Sequence, residues 1–220
     1  MLFDLDNTLA DRAGAFGRWA RHFAADHGID DAGLEWLIQQ DDDGSRPRHD
    51  FFDRVRRRFG TEGTTDDMVA RYGRTYPLFF TREGTNITAI QRLREHGFKV
   101  GVVTNGEASQ ELKLRHTEII DAIDGWCVSA LVGSRKPDPF IFEEAARRCG
   151  GVLAGGWMVG DAPEADIVGG HAVGLTTIWL HRGRDWPLTR TRPDFVAATV
   201  PEATAIILDG PEPRPQETRS

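Results

Sequence analysis

Residues 3–9 read Phe-Asp-Leu-Asp-Asn-Thr-Leu (FDLDNTL), and the reading of this stretch decides the fold. Leu2 and Phe3 are apolar and run straight into Asp4, with Asp6 and Thr8 following at alternate positions. A strand covered on both faces is apolar until it leaves the core, so an apolar run that breaks off at a carboxylate marks a strand ending at a polar rim. The pattern recurs. Phe98–Val103 leads into Thr104, Asn105 and Gly106. Trp126–Val132 precedes Ser-Arg-Lys-Pro-Asp-Pro (134–139), which carries Lys136, and Trp157–Gly160 leads into Asp161, with Asp166 five residues on. Leu175–Leu180 and Phe195–Val200 complete the strand-like runs. Helix-like segments lie between them at Asn86–His96, Ala108–Ile119, Pro139–Cys149 and Pro163–Val173. Strands alternating with helices predict an α/β fold with a parallel sheet covered on both faces. In such sheets ligands bind beyond the carboxyl ends of the strands, so four separate segments deliver polar groups to one rim.

Between the first strand and the rest, the periodicity is helical throughout. Phe16, Trp19, Phe23 and His27 form one stripe; Leu34, Leu37 and Ile38 a second; Phe51, Val55 and Phe59 a third; Met68, Val69, Tyr72 and Tyr76 a fourth. Residues 13–82 therefore read as four helices inserted after the first strand, and residues 1–12 with 83–208 as the core. Residues 209–220 are Pro-rich, polar and free of aromatics, the composition of a disordered tail. Only three residues precede Asp4, fewer than the roughly 5–6 of an ordinary strand. The expectation is that the natural polypeptide begins several residues upstream.

The chain has 220 residues, 40% hydrophobic and 28% charged, which suits a folded core rather than a solvated coil. No apolar run approaches the roughly 18–20 residues that span a bilayer. The start, MLFDLDNTLADR, shows no basic, apolar leader, and Cys127 and Cys149 stand alone without a metal-binding spacing, so a cytoplasmic location is expected. A net charge of −7 argues against nucleic acid as a partner, since such binding runs on neutralised phosphates. It leaves room for a small phosphorylated metabolite, because a bound cation inverts the local potential. Only three of the 27 cationic residues are lysines (Lys99, Lys113 and Lys136), so each stands out.

Paired carboxylates leaving one strand, joined by others from a second strand, make an all-oxygen pocket suited to a hard cation, with Mg²⁺ the natural choice. A lysine and a threonine hydroxyl beside it would cradle a tetrahedral anion. No Ser–His–Asp or Cys–His set supplies another nucleophile, and a carboxylate can itself attack phosphorus. The residues alone thus point to Mg²⁺-assisted phosphoryl transfer.

Taken together, FDLDNTL, VVTNG (102–106), SRKPDP (134–139) and MVGDAPEADIVGG (158–170), followed by GLTTIWL (174–180), resemble the haloacid dehalogenase-like hydrolase superfamily. The resemblance covers residues 1–12 and about 85–205. It implies a Rossmann-like core, dependence on Mg²⁺, an aspartyl-phosphate intermediate and a small helical cap at the position of the insert. Carried over by residue, it makes Asp4 the nucleophile and Asp6 the general acid and base. Thr104, Asn105 and Lys136 would hold the phosphoryl oxygens. Asp4, the backbone carbonyl of Asp6, and Asp161 would ligate the metal. Thr8, Gly106, Gly160 and Asp166 would support the site. Dehalogenases of this superfamily lack an acid at the Asp6 position, so the resemblance favours hydrolysis of a phosphomonoester. A sugar-phosphate mutase shares all four motifs and stays open, as does a catalytically silent phosphate-binding module. In the insert, Arg46, Arg48 and His49 lie in the loop 41–50 that would face the substrate in this superfamily. The same loop reads equally well as a solvated charged turn.

Overall fold

The structure is a computed structural model and describes residues 1–210. The predicted tail lies, from residue 211 on, outside the described residues; Asp209 still belongs to the last helix. Contacts divide the chain into two compact units, Met1–Ala10 with the segment from Arg82 on, and Asp11–Thr81.

The first unit is built on a parallel sheet of six strands among the described residues: β1 (Leu2–Phe3), β2 (Gly101–Thr104), β3 (Gly125–Val128), β4 (Trp157–Gly160), β5 (Thr176–Leu180) and β6 (Phe195–Ala197). Their order is β3-β2-β1-β4-β5-β6, a doubly wound, Rossmann-like arrangement. β1 is central. Leu2 and Phe3 lie opposite Gly101 and Val102 of β2 and opposite Met158 and Val159 of β4. The chain order reverses direction at β1, and the carboxyl ends of β1, β2 and β4 form the crevice where such sheets hold ligands. Both cysteines are buried and free, packed with Leu2, Val103, Ile141, Phe142 and Met158 in one core cluster.

The second unit is helical, with α1 (Arg12–Asp26), α2 (Asp31–Asp41), α3 (Arg48–Phe59) and α4 (Thr65–Thr75). Its stripes of Phe16, Trp19, Phe51, Phe52 and Tyr72 meet in a web of edge and tilted aromatic pairs, which gives this small unit a core of its own. Thr64 and Asp67 cap α4 reciprocally, so the turn-rich break before it is a built helix start.

The sheet is covered by α5 (Gly84–Glu95), α6 (Ser109–His116), the short turns α7 (Ile119–Ala122) and α8 (Ser129–Val132), α9 (Pro139–Arg148), α10 (Gly169–Ala172) and α11 (Val200–Asp209). Two sequence expectations are corrected. The run Trp126–Val132 is strand only to Val128, because Ser129 turns into α8 and its hydroxyl bonds the Gly106 backbone. Phe195–Val200 stops at Ala197, since Thr199 caps α11 by accepting from the Glu202 N–H. The segment after Asp161 is a wide-turned helix over Pro163–Val168 before α10 begins. That local widening sits beside a candidate functional residue, Asp166, as such helical bulges often do.

Candidate active site

Asp4 is the first residue past β1, and its backbone is still tied to the sheet: its N–H donates to the Val159 carbonyl at 2.9 Å. Its carboxylate is buried beside Lys136. Lys136 Nζ donates to Asp4 Oδ1 at 2.6 Å and to Asp166 Oδ1 at 2.7 Å. Asp161 follows β4 directly, and Asp4, Asp161 and Asp166 each offer an oxygen within 4.8 Å of the others. Gly160 permits this convergence. A Cβ there would lie 2.2 Å from Asp166 Oδ2, so any larger residue would push that carboxylate out. Asp166 Oδ2 is further held by the Ala162 N–H at 3.0 Å.

Lys136 is delivered by the loop before α9, and the second motif holds that loop. Asn105 Nδ2 donates to the Lys136 carbonyl at 3.0 Å, and Asn105 Oδ1 accepts from the Lys136 N–H at 2.8 Å. One Asn105 N–H and its side-chain oxygen therefore orient the lysine's backbone, and the second N–H remains to donate. Gly106 closes the same turn, its N–H donating to Ser129 Oγ at 2.9 Å.

Asp6 lies at the edge of the cluster, its side chain 26% exposed. Its Oδ2 accepts from Gln110 Nε2 at 2.9 Å, and its Oδ1 pairs with Lys113. Gln110 Nε2 also donates to Thr104 Oγ1 at 2.9 Å, which links Asp6 to the end of β2. The Thr8 hydroxyl is buried without a hydrogen-bond partner among the described residues.

Asp161 meets two arginines from beyond β5. Its Oδ2 accepts from Arg182 at 3.1 Å and Arg184 at 3.0 Å, and Arg184 also donates to the Asp161 carbonyl at 2.8 Å.

The electrostatics follow from crowding three carboxylates around one buried lysine. Burial raises the Asp4 carboxyl to about 7, opposed by Lys136 and reinforced by Asp166 and Asp6. Burial and the charge on Asp4 raise Asp161 to about 6, against the pull of Arg182 and Arg184. Asp166 is raised chiefly by burial. Burial works against the charged form of Lys136 as well, yet Asp166 and Asp4 outweigh it and hold the amine above its ordinary value. Lys136, Arg182 and Arg184 match the three carboxylates charge for charge. The buried donor set is all oxygen, which fits a hard divalent cation.

The model of the haloacid dehalogenase-like hydrolase family matches residues 1–174. The chain belongs to that family. It is 31% identical over 200 residues to a glyceraldehyde 3-phosphate phosphatase of Methanopyrus kandleri, covering 84% of each chain. It is 37% identical over 107 residues to the pyrimidine 5'-nucleotidase YjjG of Escherichia coli, covering 46% of this chain and 44% of the relative. Among solved structures, an HAD phosphatase from Thermococcus onnurineus superposes with a TM-score of 0.65 at 27% identity, covering 96% of this chain and 98% of the other. Among haloacid dehalogenase-like hydrolases, the named relatives of this chain are phosphatases.

Five residues that contact the motif residues of this hydrolase were given no role in the sequence reading, although Lys113 was one of the three lysines noted there. Arg182 and Arg184 lie just past β5, at a strand end like those that deliver Asp4 and Asp161. Gln110 and Lys113 lie three apart on α6, which puts both on one helix face, and both are buried. Ser129 comes directly after β3 and faces the turn at Gly106.

In the helical unit, Arg48 pairs with Asp41 at 2.8 Å, and its guanidinium lies over the rings of Phe16, Phe51 and Tyr72. Arg46 Nε donates to the Gln40 carbonyl at 2.5 Å. His49 pairs with Asp66 at 2.8 Å while its side chain stays 66% exposed. Arg48 is therefore part of that unit's packing. Arg48→Ala is expected to lower the melting temperature by roughly 2–8 °C, from the loss of cation–π contacts worth about 1–2 kcal/mol. His49→Ala is expected to leave it unchanged. Thermal melting of both variants checks the contrast.

Proposed function

We propose that the protein is a Mg²⁺-dependent phosphatase that hydrolyses a small phosphorylated metabolite in the cytoplasm through an aspartyl-phosphate intermediate. The observation that carries this reading is Lys136 Nζ bridging Asp4 and Asp166 inside the buried carboxylate cluster. Asp4, Asp161 and the main-chain carbonyl of Asp6 would hold the ion, with Asp166 supporting, since both Asp166 oxygens already serve Lys136 and the Ala162 N–H. When bound, Mg²⁺ would stabilise charge developing on the phosphoryl group.

Asp4 attacks phosphorus; an O–P bond forms to Asp4 as the bond to the leaving alkoxide breaks, and Asp6 gives that oxygen its proton. Asp6 then takes a proton from water, the water oxygen attacks phosphorus, and the bond to Asp4 breaks to release phosphate. Asp4 and Asp6 end as they began. Lys136 and Thr104 hold the phosphoryl oxygens. Thr104 Oγ1 accepts from Gln110, so its own proton remains to donate. His49 and Arg46 are assigned to discrimination among leaving groups, and Arg48 to the packing that supports them, with His49 the cleanest probe because its substitution spares that packing. His49→Ala should alter the ranking of substrates more than the rate with a small generic ester.

The substrate panel begins with glyceraldehyde 3-phosphate, on the strength of the Methanopyrus kandleri relative, and extends to pyrimidine nucleoside 5'-monophosphates and other sugar phosphates. Phosphate release should stop in excess chelator and return with Mg²⁺. Ca²⁺ should not restore it, because it favours more ligands at longer distances and would hold the Asp4 oxygen that must attack. Full turnover in excess chelator would overturn the metal assignment.

A further inference from the structure

We propose that Gln110 and Lys113 are positioning residues that aim the Asp6 carboxylate, so that α6 sets the acid–base step of the reaction. The inference rests on the proposed phosphatase reading and extends it to two residues outside the family motifs quoted above. Asp6 sits on an irregular segment past a two-residue strand, and Asn7 beside it has a positive φ of 60°. The Asp6 carboxylate is held from α6. Gln110 Nε2 reaches Asp6 Oδ2 at 2.9 Å, and Lys113 pairs with Asp6 Oδ1, so each oxygen has its own donor and the plane of the carboxylate is defined.

Both donors are unusually well held for long polar side chains. Gln110 is 4% exposed and Lys113 3%, so their rotamers are constrained by packing. Burying a lysine is costly unless it is paired, and its amine pairs with Asp6. Gln110 makes a second bond from the same nitrogen to Thr104 Oγ1. One side chain therefore fixes the distance between a phosphoryl-binding hydroxyl and the acid–base carboxylate. Each carboxylate oxygen has two lone-pair directions, so one bond from α6 to each oxygen is compatible with proton exchange at the same carboxylate.

A positioning role separates from a structural one by leaving group. A nitrophenolate departs without a proton, whereas an alkoxide needs one from Asp6. Lys113→Met and Gln110→Leu are therefore compared with wild type on 4-nitrophenyl phosphate and on an alkyl phosphate, with Mg²⁺ present and melting temperatures recorded. The expected result, read in single turnover as release of the leaving group, is a fall of roughly 100-fold in the first step on the alkyl ester, the scale of a misplaced catalytic group, and only a few-fold on the nitrophenyl ester, while hydrolysis of the shared intermediate slows alike from both. Lys113→Arg, which keeps a donor, should recover part of the alkyl-ester rate. Equal losses in the first step on both esters, or no loss in that step on the alkyl ester in a folded variant, would overturn the proposal. If either variant fails to fold, the other decides on the same criterion; if both fail, the role is structural and the proposal is overturned. A wild-type protein that hydrolyses neither ester would instead count against the phosphatase reading itself.

Discussion

Asp4→Asn is expected to abolish turnover while the protein remains folded. The carboxamide matches the carboxylate in shape, and the backbone N–H of residue 4 keeps its bond to Val159. The substitution also removes a charge that burial disfavours, since the Asp4 carboxyl is pushed up to about 7. Stability should therefore change little. Chemistry should not survive: an amide oxygen is a poor nucleophile towards phosphorus, and losing a nucleophile removes roughly 10⁴-fold or more of the rate. Phosphate release and thermal melting on the same preparation check both halves.

Lys136→Met should damage both stability and activity. The substitution leaves Asp4 and Asp166 buried without the amine that bridges them at 2.6 and 2.7 Å. Removing one partner of a buried ion pair costs about 3–5 kcal/mol, because the remaining charge is uncompensated. Loss of its contact with the phosphoryl oxygens should remove roughly a further 100- to 1,000-fold of kcat. The stability deficit has a defined pH dependence. A carboxyl whose folded pKa is raised holds its proton more tightly when folded, so stability is lost as pH rises above the ordinary value of 3.8. Without the lysine these carboxyls are raised further, so for Asp4 the gap to wild type should widen above about pH 7, where the wild-type carboxyl has ionised and the variant's still holds its proton. Denaturant unfolding at several pH values measures it.

The architecture was legible because strand ends and helix phases are local signals. Apolar runs ending at Asp4, Thr104 and Asp161 lie side by side in the sheet. Even the two-residue β1 was legible, since Phe3 is flanked by chemistry that belongs only at a strand end. Less legible was whatever depends on partners distant in sequence. Gln110 and Lys113 carry no assignable role in the sequence until Asp6, more than a hundred positions away, is seen against them. Asn105 read as an anion ligand, and nothing in its own segment showed that its carboxamide also holds the backbone of Lys136. Arg48 read as a free cation on a charged loop, but three aromatic rings and Asp41 enclose it. Helix α11 was missed although Thr-Val-Pro-Glu (199–202) carries a cap, a proline in the first turn and an acid, because the preceding β-branched run suggested a longer strand.

The central claim is that Asp4 carries the phosphoryl group. Asp6→Asn slows hydrolysis of the intermediate, while 4-nitrophenyl phosphate forms it without needing the acid. Mixing this variant with that ester and Mg²⁺ should give a burst of one nitrophenolate per chain. Acid quenching within the burst, followed by mass spectrometry of the digest, should then find the added mass of one phosphoryl group on the peptide containing Asp4. Linear nitrophenolate release with an unmodified Asp4 peptide, or a phosphoryl group found on another residue, would contradict it.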